Sequence, residues 1–230
     1  MFKKKDKILV ISAHPDDEVI GCGGTILKAL SLGASVSVLF LGEGVSTRFP
    51  KKEKSKKCLE AIKERELGAY KSLKILGVKD SSFNHYLCTK FDNYPLINFV
   101  RIIENKIKSI KPNIIFTHNP SEVNIDHVIT HKATEIACRP LAGSHIKNIF
   151  TYEAVCSGNF KFKKNFNPNT FVDIKKFFKK KVEAFKCYKN EVKKYPFPRS
   201  IKGIKILANY RGLQAGLEYA EAFELERKIF

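Results

Sequence analysis

Five consecutive residues, His14-Pro15-Asp16-Asp17-Glu18, place one imidazole and three carboxylates within a single turn of chain. Histidine and aspartate are ordinary ligands of divalent metals, so the set can hold a cation. Pro15 fixes its own φ and biases His14 toward an extended backbone, so the flanking side chains leave the turn in set directions. Adjacent residues do not share a helix face, so of Asp16 and Asp17 one can hold a metal while the other faces a bound water. Acids in the first turn of a helix also complement its dipole, and Asp is a common N-cap. That accounts for one or two of these acids but not for the whole cluster.

A second group lies in the stretch from Asn119 to His127, which includes Glu122, Asn124 and Asp126 and leads into a helical run, Val128–Thr134. His127 at the start of that helix is suited to approach His14 and Asp17, and His, Asp and His with an open fourth position is the pattern of a catalytic zinc. His118 and His131 compete as ligands. His131 lies four residues after His127 and reads as a surface histidine. His118 ends a strand near the site, and both pocket lining and support of the ligands stay open for it. His85 and His145 read as ordinary loop residues.

The elements that must position these groups alternate. Lys7–Ser12 is an apolar β-branched run of strand length, and the His-Pro-Asp-Asp-Glu turn hands it to a helix through Gly21–Lys28. Gly33 is a plausible C-cap, and 34–41 reads as a second strand followed by the glycine-punctuated loop 42–48. Helical patterns over Glu53–Leu76 and Tyr94–Ser109 precede a third buried strand, Ile114–His118, and Thr151–Val155 reads as a fourth. This order predicts an α/β fold with a Rossmann-like, mostly parallel sheet, helices on its flanks and the site at the C-terminal ends of the strands. Residues 160–200 hold thirteen Lys or Arg and three acids among aromatics. Phe177, Phe178, Phe185 and Tyr188 there read as a packing face. We expect 1–230 to be a single domain, with 160–230 its basic, aromatic, mainly helical part.

Ala13-His14-Pro15-Asp16-Asp17-Glu18 after a first strand, then Gly21-x-Gly23-Gly24, resembles the PIG-L/LmbE-like family of zinc-dependent N-deacetylases. Phe197-Pro198-Arg199-Ser200 and the run Tyr210–Phe223 extend the resemblance to the C-terminal part. The resemblance implies a hydrolase that removes an N-acetyl group from an amino sugar of N-acetylglucosamine type, in a glycoconjugate or surface-polysaccharide precursor. It implies zinc, or ferrous iron, held by His14, Asp17 and His127, with Asp16 as general base. Many members carry His-x-x-His in the second loop, the earlier histidine aiding the transition state. Asn124 stands at that place here, so Asn124 and His118 are both candidates for stabilising the oxyanion. Asp126 or Glu18 would orient a ligand histidine. Arg65, with Leu76-Gly77-Val78 following at the family's spacing, and Arg48 in the loop after the second strand are implied substrate contacts. By themselves they read as ordinary surface charges.

The net charge of +19 would favour an anionic partner. If it is functional, the substrate carries a phosphate or carboxylate, as on a lipid or nucleotide carrier, met by Arg65 or Arg48. If it follows from a Lys-, Ile- and Asn-rich genome composition, it says little. No apolar run is long enough to span a bilayer, and the short run after Lys3-Lys4-Lys5 fails as a signal peptide. Six scattered cysteines without a Cys-x-x-Cys pair point to reduced thiols, hence a cytoplasmic protein. A homo-oligomer is compatible with all of this. The competing reading is a nucleotide- or nucleic-acid-binding Rossmann-like module without hydrolase activity. The spacing of Gly21, Gly23 and Gly24 is wrong for the dinucleotide fingerprint, and Glu43 is the only acid near the end of the second strand.

Overall fold

Alternate residues of the central strands are buried on opposite faces, which is why their sequences are continuously apolar rather than alternating. In strand β1 (Lys7–Ser12), Ile8 and Val10 enter one core while Leu9 and Ile11 enter the other. The computed structural model describes residues 2–140, 144–155, 162 and 166–230. Its sheet has the order β3 (Asp80–Tyr86), β2 (Ser35–Gly42), β1, β4 (Ile114–His118), β5 (Asn148–Tyr152), β7 (Ala220–Lys228), β6 (Thr170–Asp173). The five strands from β3 to β5 are parallel, and β7 runs antiparallel to both β5 and β6.

One core is closed by helices α1 (Asp17–Ser31), α2 (Lys56–Leu76), α5 (Phe178–Phe185) and α6 (Ile201–Leu213). The other is closed by α3 (Leu96–Ile110) and α4 (Ile125–Ala137). Ser55, Asn124 and Ser200 cap α2, α4 and α6 by accepting N–H groups of the first turn, and Gly77 ends α2 at φ 86°. The chain winds outward from β1 to β3 on one side and from β4 to β5 on the other. The C-terminal ends of β1 and β4 therefore flank the topological switch point, where open α/β sheets bind ligands.

The C-terminal part, expected to be mainly helical, contributes strands as well as helices. Among its described residues α5 and α6 close one core, and β6 and β7 join the sheet. The strand expected at Thr151–Val155 is β5, three residues earlier, and β3 occupies a stretch read as loop, so His85 is a strand residue. Phe185 and Tyr188 are buried, with Phe177 and Phe178 packed against the same core. Cys156 lies outside the described residues. Among the described residues no helix is long and apolar enough to cross a membrane.

Candidate active site

The β1–α1 turn and the N-terminus of α4 meet at the switch point. They line a cleft of about 510 Å³ whose walls include His14, Asp16, Asp17, Asn124 and His127. Asp17 lies between the two histidines, its Oδ1 3.6 Å from His127 Nε2 and its Oδ2 3.7 Å from His14 Nδ1. Each histidine is held from behind by a carboxylate. His14 Nε2 lies 2.8 Å from Asp126 Oδ2, and His127 Nδ1 lies 3.3 Å from Glu122 Oε2. Asp126 and Glu122 are themselves fixed by backbone N–H groups, those of Thr89 and Phe91 for the first and Ala154 for the second.

Among the described residues three sets of ligand-type side chains bring their donor atoms within 4.8 Å: His14–Asp17–His127, His14–Cys88–Asp126 and His118–Glu122–His127. Only the first has every member on the cleft. Its histidines also present the nitrogens not engaged by carboxylates, the arrangement that fixes tautomer and ring direction in histidine-ligated metal sites. Burial opposes charge on both rings. Cys88, Asp126 and Asp17 nevertheless hold His14 well above its ordinary pKa, and Asp17 and Glu122 raise His127. A pocket that favours positive charge among buried carboxylates suits a cation, and two imidazoles, one carboxylate and an open side suit zinc chemistry.

Asp16 stands apart from that triad. Its backbone has φ 122°, a region where a non-glycine residue is strained, and such strain persists only where the surroundings impose it. The surroundings are plain: Arg65 Nη2 lies 2.9 Å from Oδ1, Arg199 Nη1 lies 3.0 Å from Oδ2, and the Asp16 N–H donates to Glu18 at 3.0 Å. Burial lifts the Asp16 carboxyl to about 6, against the pull of Arg65. Glu18, bonded to the Tyr188 hydroxyl at 2.6 Å, is lifted by burial to about 7. It faces the Asp16 backbone rather than a ligand histidine.

The surroundings of four further residues bear on the roles expected of them. His118 is fully buried beneath His127, ring centroids 4.0 Å apart, and does not reach the cleft. Its Nε2 accepts the Ala13 N–H at 3.0 Å, and burial and His127 lower its pKa to about 4, so it is a neutral support of the floor. Arg65 borders the cleft, but its donors go to the Pro15 carbonyl, Asp16 and Glu191. Arg48, also on the cleft, lies 2.5 Å from Glu191. His131 is half-buried and bonds the His118 carbonyl at 3.0 Å instead of facing solvent. Asn124 does line the cleft, as the cap of α4.

Glu191, Arg199, Glu122 and Cys88 complete the site without having been assigned roles from the sequence. Arg199 lies within the Phe-Pro-Arg-Ser stretch already singled out, and Glu122 sits five residues before His127. Glu191 had one signal: it is the only acid between Glu183 and Glu218.

Residues 9–138 match the family model described as "PIG-L: GlcNAc-PI de-N-acetylase", more than half of the chain. The chain belongs to the PIG-L family. A curated relative, diacetylchitobiose deacetylase of Thermococcus kodakarensis, is 26% identical over all of this chain and 86% of its own length. The solved N,N'-diacetylchitobiose deacetylase of Pyrococcus horikoshii superposes with TM-score 0.77 at 22% identity, over 96% of this chain and 84% of that one. The 4-carboxy-2-hydroxymuconate hydratase GalB of Pseudomonas putida superposes about as well, with TM-score 0.76 at 19% identity over 98% of each chain. One fold thus hosts a deacetylase and a hydratase, so the chemistry has to be argued from the site.

Proposed function

We propose that this PIG-L protein is a metal-dependent amidase that hydrolyses the N-acetyl group of a small amino sugar of N-acetylglucosamine type. His14, Asp17 and His127 are its ligands and Asp16 its base. The observation that carries the reading is the convergence of those three side chains on one cleft, each histidine backed by a buried carboxylate. Bound there, a divalent metal would polarise the acetamide carbonyl and lower the pKa of the attacking water. Zinc fits the donor set best, and ferrous iron is the second choice.

The chain's own groups do the rest. Asp126 and Glu122 keep His14 Nδ1 and His127 Nε2 turned toward Asp17 and the cleft. Asp16 takes a proton from water as its oxygen bonds to the acetyl carbon. The same proton then passes to the nitrogen as the C–N bond breaks, leaving acetate and the free amine. Asn124 would meet the developing oxyanion, a role supported by its position on the cleft, where His118 is buried. The C-terminal part supplies Arg199 and Glu191 to the same cleft, which supports residues 1–230 working as one catalytic unit.

Two measurements test this reading. Elemental analysis is expected to find one divalent metal per chain, lost in a His14→Ala/His127→Ala double variant. Acetate release is expected from at least one free, nucleotide-linked or lipid-linked N-acetyl amino sugar. Absence of stoichiometric metal, or full retention by the double variant, overturns the ligand set.

A further inference from the structure

The deacetylase reading assigns Asp16 a task and leaves the surrounding charges without one. Glu191, from the turn after α5, is buried at 1% exposure, and three guanidinium groups converge on it. Arg65 Nη1 and Arg48 Nη2 meet its Oε1, and Arg199 Nη1 lies 3.3 Å from its Oε2. Two of these arginines also grip Asp16, one on each oxygen. Asp16, Arg65, Glu191 and Arg199 therefore form a closed ring of alternating sign.

We propose that Glu191 is a positioning residue, which fixes Arg65 and Arg199 and through them sets the direction of the Asp16 carboxylate. The proposal rests on the reading of Asp16 as the base. A carboxylate has about four lone-pair positions, so two arginine ion pairs leave each oxygen room for the reacting proton. Those ion pairs also prevent the group from rotating, because rotation breaks both. The arginines repel one another and need an anion between them to stay at this separation. Glu191 is that anion, and nothing else on the ring binds both guanidinium groups from the side away from Asp16. A purely structural role, tying α2 to the turn after α5, would explain a single ion pair to Arg65. It would not explain why the same carboxylate also holds Arg199, which pairs with Asp16 as well.

The test is a double-mutant cycle on acetate release from N,N'-diacetylchitobiose, combined with the crystal structure of Glu191→Gln. Glu191→Gln should lower kcat by about 10- to 100-fold, the usual effect of losing a residue that orients a reacting group, with KM and metal content unchanged. In an Asp16→Asn background the same substitution should change kcat hardly at all, because residues acting through one group are not additive. The crystal structure should find the Asp16 side chain turned and at least one of its two arginine ion pairs broken. Equal slowing in both backgrounds, or an unmoved Asp16, overturns the proposal. Arg199→Gln, at the partly exposed rim of the ring, gives the same cycle should Glu191→Gln not fold. Failure of the parent enzyme on every N-acetyl sugar would sink the deacetylase reading instead, and the Asp16 geometry in the variant would still decide the role of Glu191.

Discussion

Asp16 and Asp17 are neighbours in the chain with opposite surroundings. Burial dominates at Asp16 and lifts it to about 6 despite Arg65. At Asp17 burial acts in the same direction, but His127 outweighs it and holds the carboxyl well below the ordinary range. Pairs of carboxyls driven apart in this way divide the labour, one exchanging protons near neutrality and the other remaining a permanent anion. Asp16→Asn is therefore expected to keep the metal and lose about two to four orders of magnitude in kcat, as for a missing general base. Asp17→Asn is expected to release the metal. Metal analysis and single-turnover rates of the two variants check this, and the reverse pattern would exchange the two roles. The strained backbone at Asp16 belongs to the same picture, because the ion pairs that hold its side chain also hold its φ at 122°.

At the scale of elements, the seat of α1 on the sheet decides where the turn before it lies. A Cβ at Gly21 would overlap the Tyr152 ring, and one at Gly24 would sit 2.6 Å from Ile174. The Tyr152 hydroxyl in turn lies 3.1 Å from His118 Nε2, under the cleft floor. Gly21→Ala should destabilise the protein by about 1–3 kcal/mol through overpacking, read from urea unfolding, and should also lower kcat by shifting that floor. An unchanged unfolding midpoint would mean that α1 moves away at no cost. Strands β1, β2 and β4 and helices α1 to α4 were legible because each carries its periodicity within its own sequence. β3 was not: Asp80-Ser81-Ser82-Phe83-Asn84-His85-Tyr86 is a half-buried edge strand whose polar residues resemble a loop. β7 is rich in Glu and Ala, which favour helix, and becomes a strand through its pairing with β5 and β6. The metal-type triad was legible for a related reason, since His14 and Asp17 fall in one short motif, and Asp126 and His127 in another. Arg199 lies 183 residues from Asp16 and Glu191 lies 143 from Arg48, so only the fold brings those charges together.

Over the whole molecule, the net charge of +19 invites an anionic substrate, yet the cleft does not share in it. Among the described residues its lining holds Arg48, Arg65 and Arg199 against Asp16, Asp17 and Glu191, three charged side chains of each sign, and no lysine. Of the two residues expected to meet a phosphate or carboxylate, Arg65 is buried with its guanidinium committed to Asp16 and Glu191, whereas Arg48, 40% exposed, gives one nitrogen to Glu191. A substrate anion that met Arg65 would have to displace Glu191 or Asp16 from buried ion pairs, and a group left unpaired there is strongly unfavourable. The surroundings of Arg65 thus favour a substrate that is neutral at the sugar. Charges more than a Debye length apart are screened by salt, and a neutral substrate offers the outer field nothing to attract. For a neutral N-acetyl amino sugar, kcat/KM should therefore stay level between about 50 and 500 mM salt, a range over which the Debye length shrinks well below the size of the protein. An anionic analogue of the same sugar should be turned over no faster at low salt. A steep fall of kcat/KM with salt, confined to the anionic analogue, would mean that the surface charge steers substrate in and that one of the three arginines leaves its carboxylate to receive it.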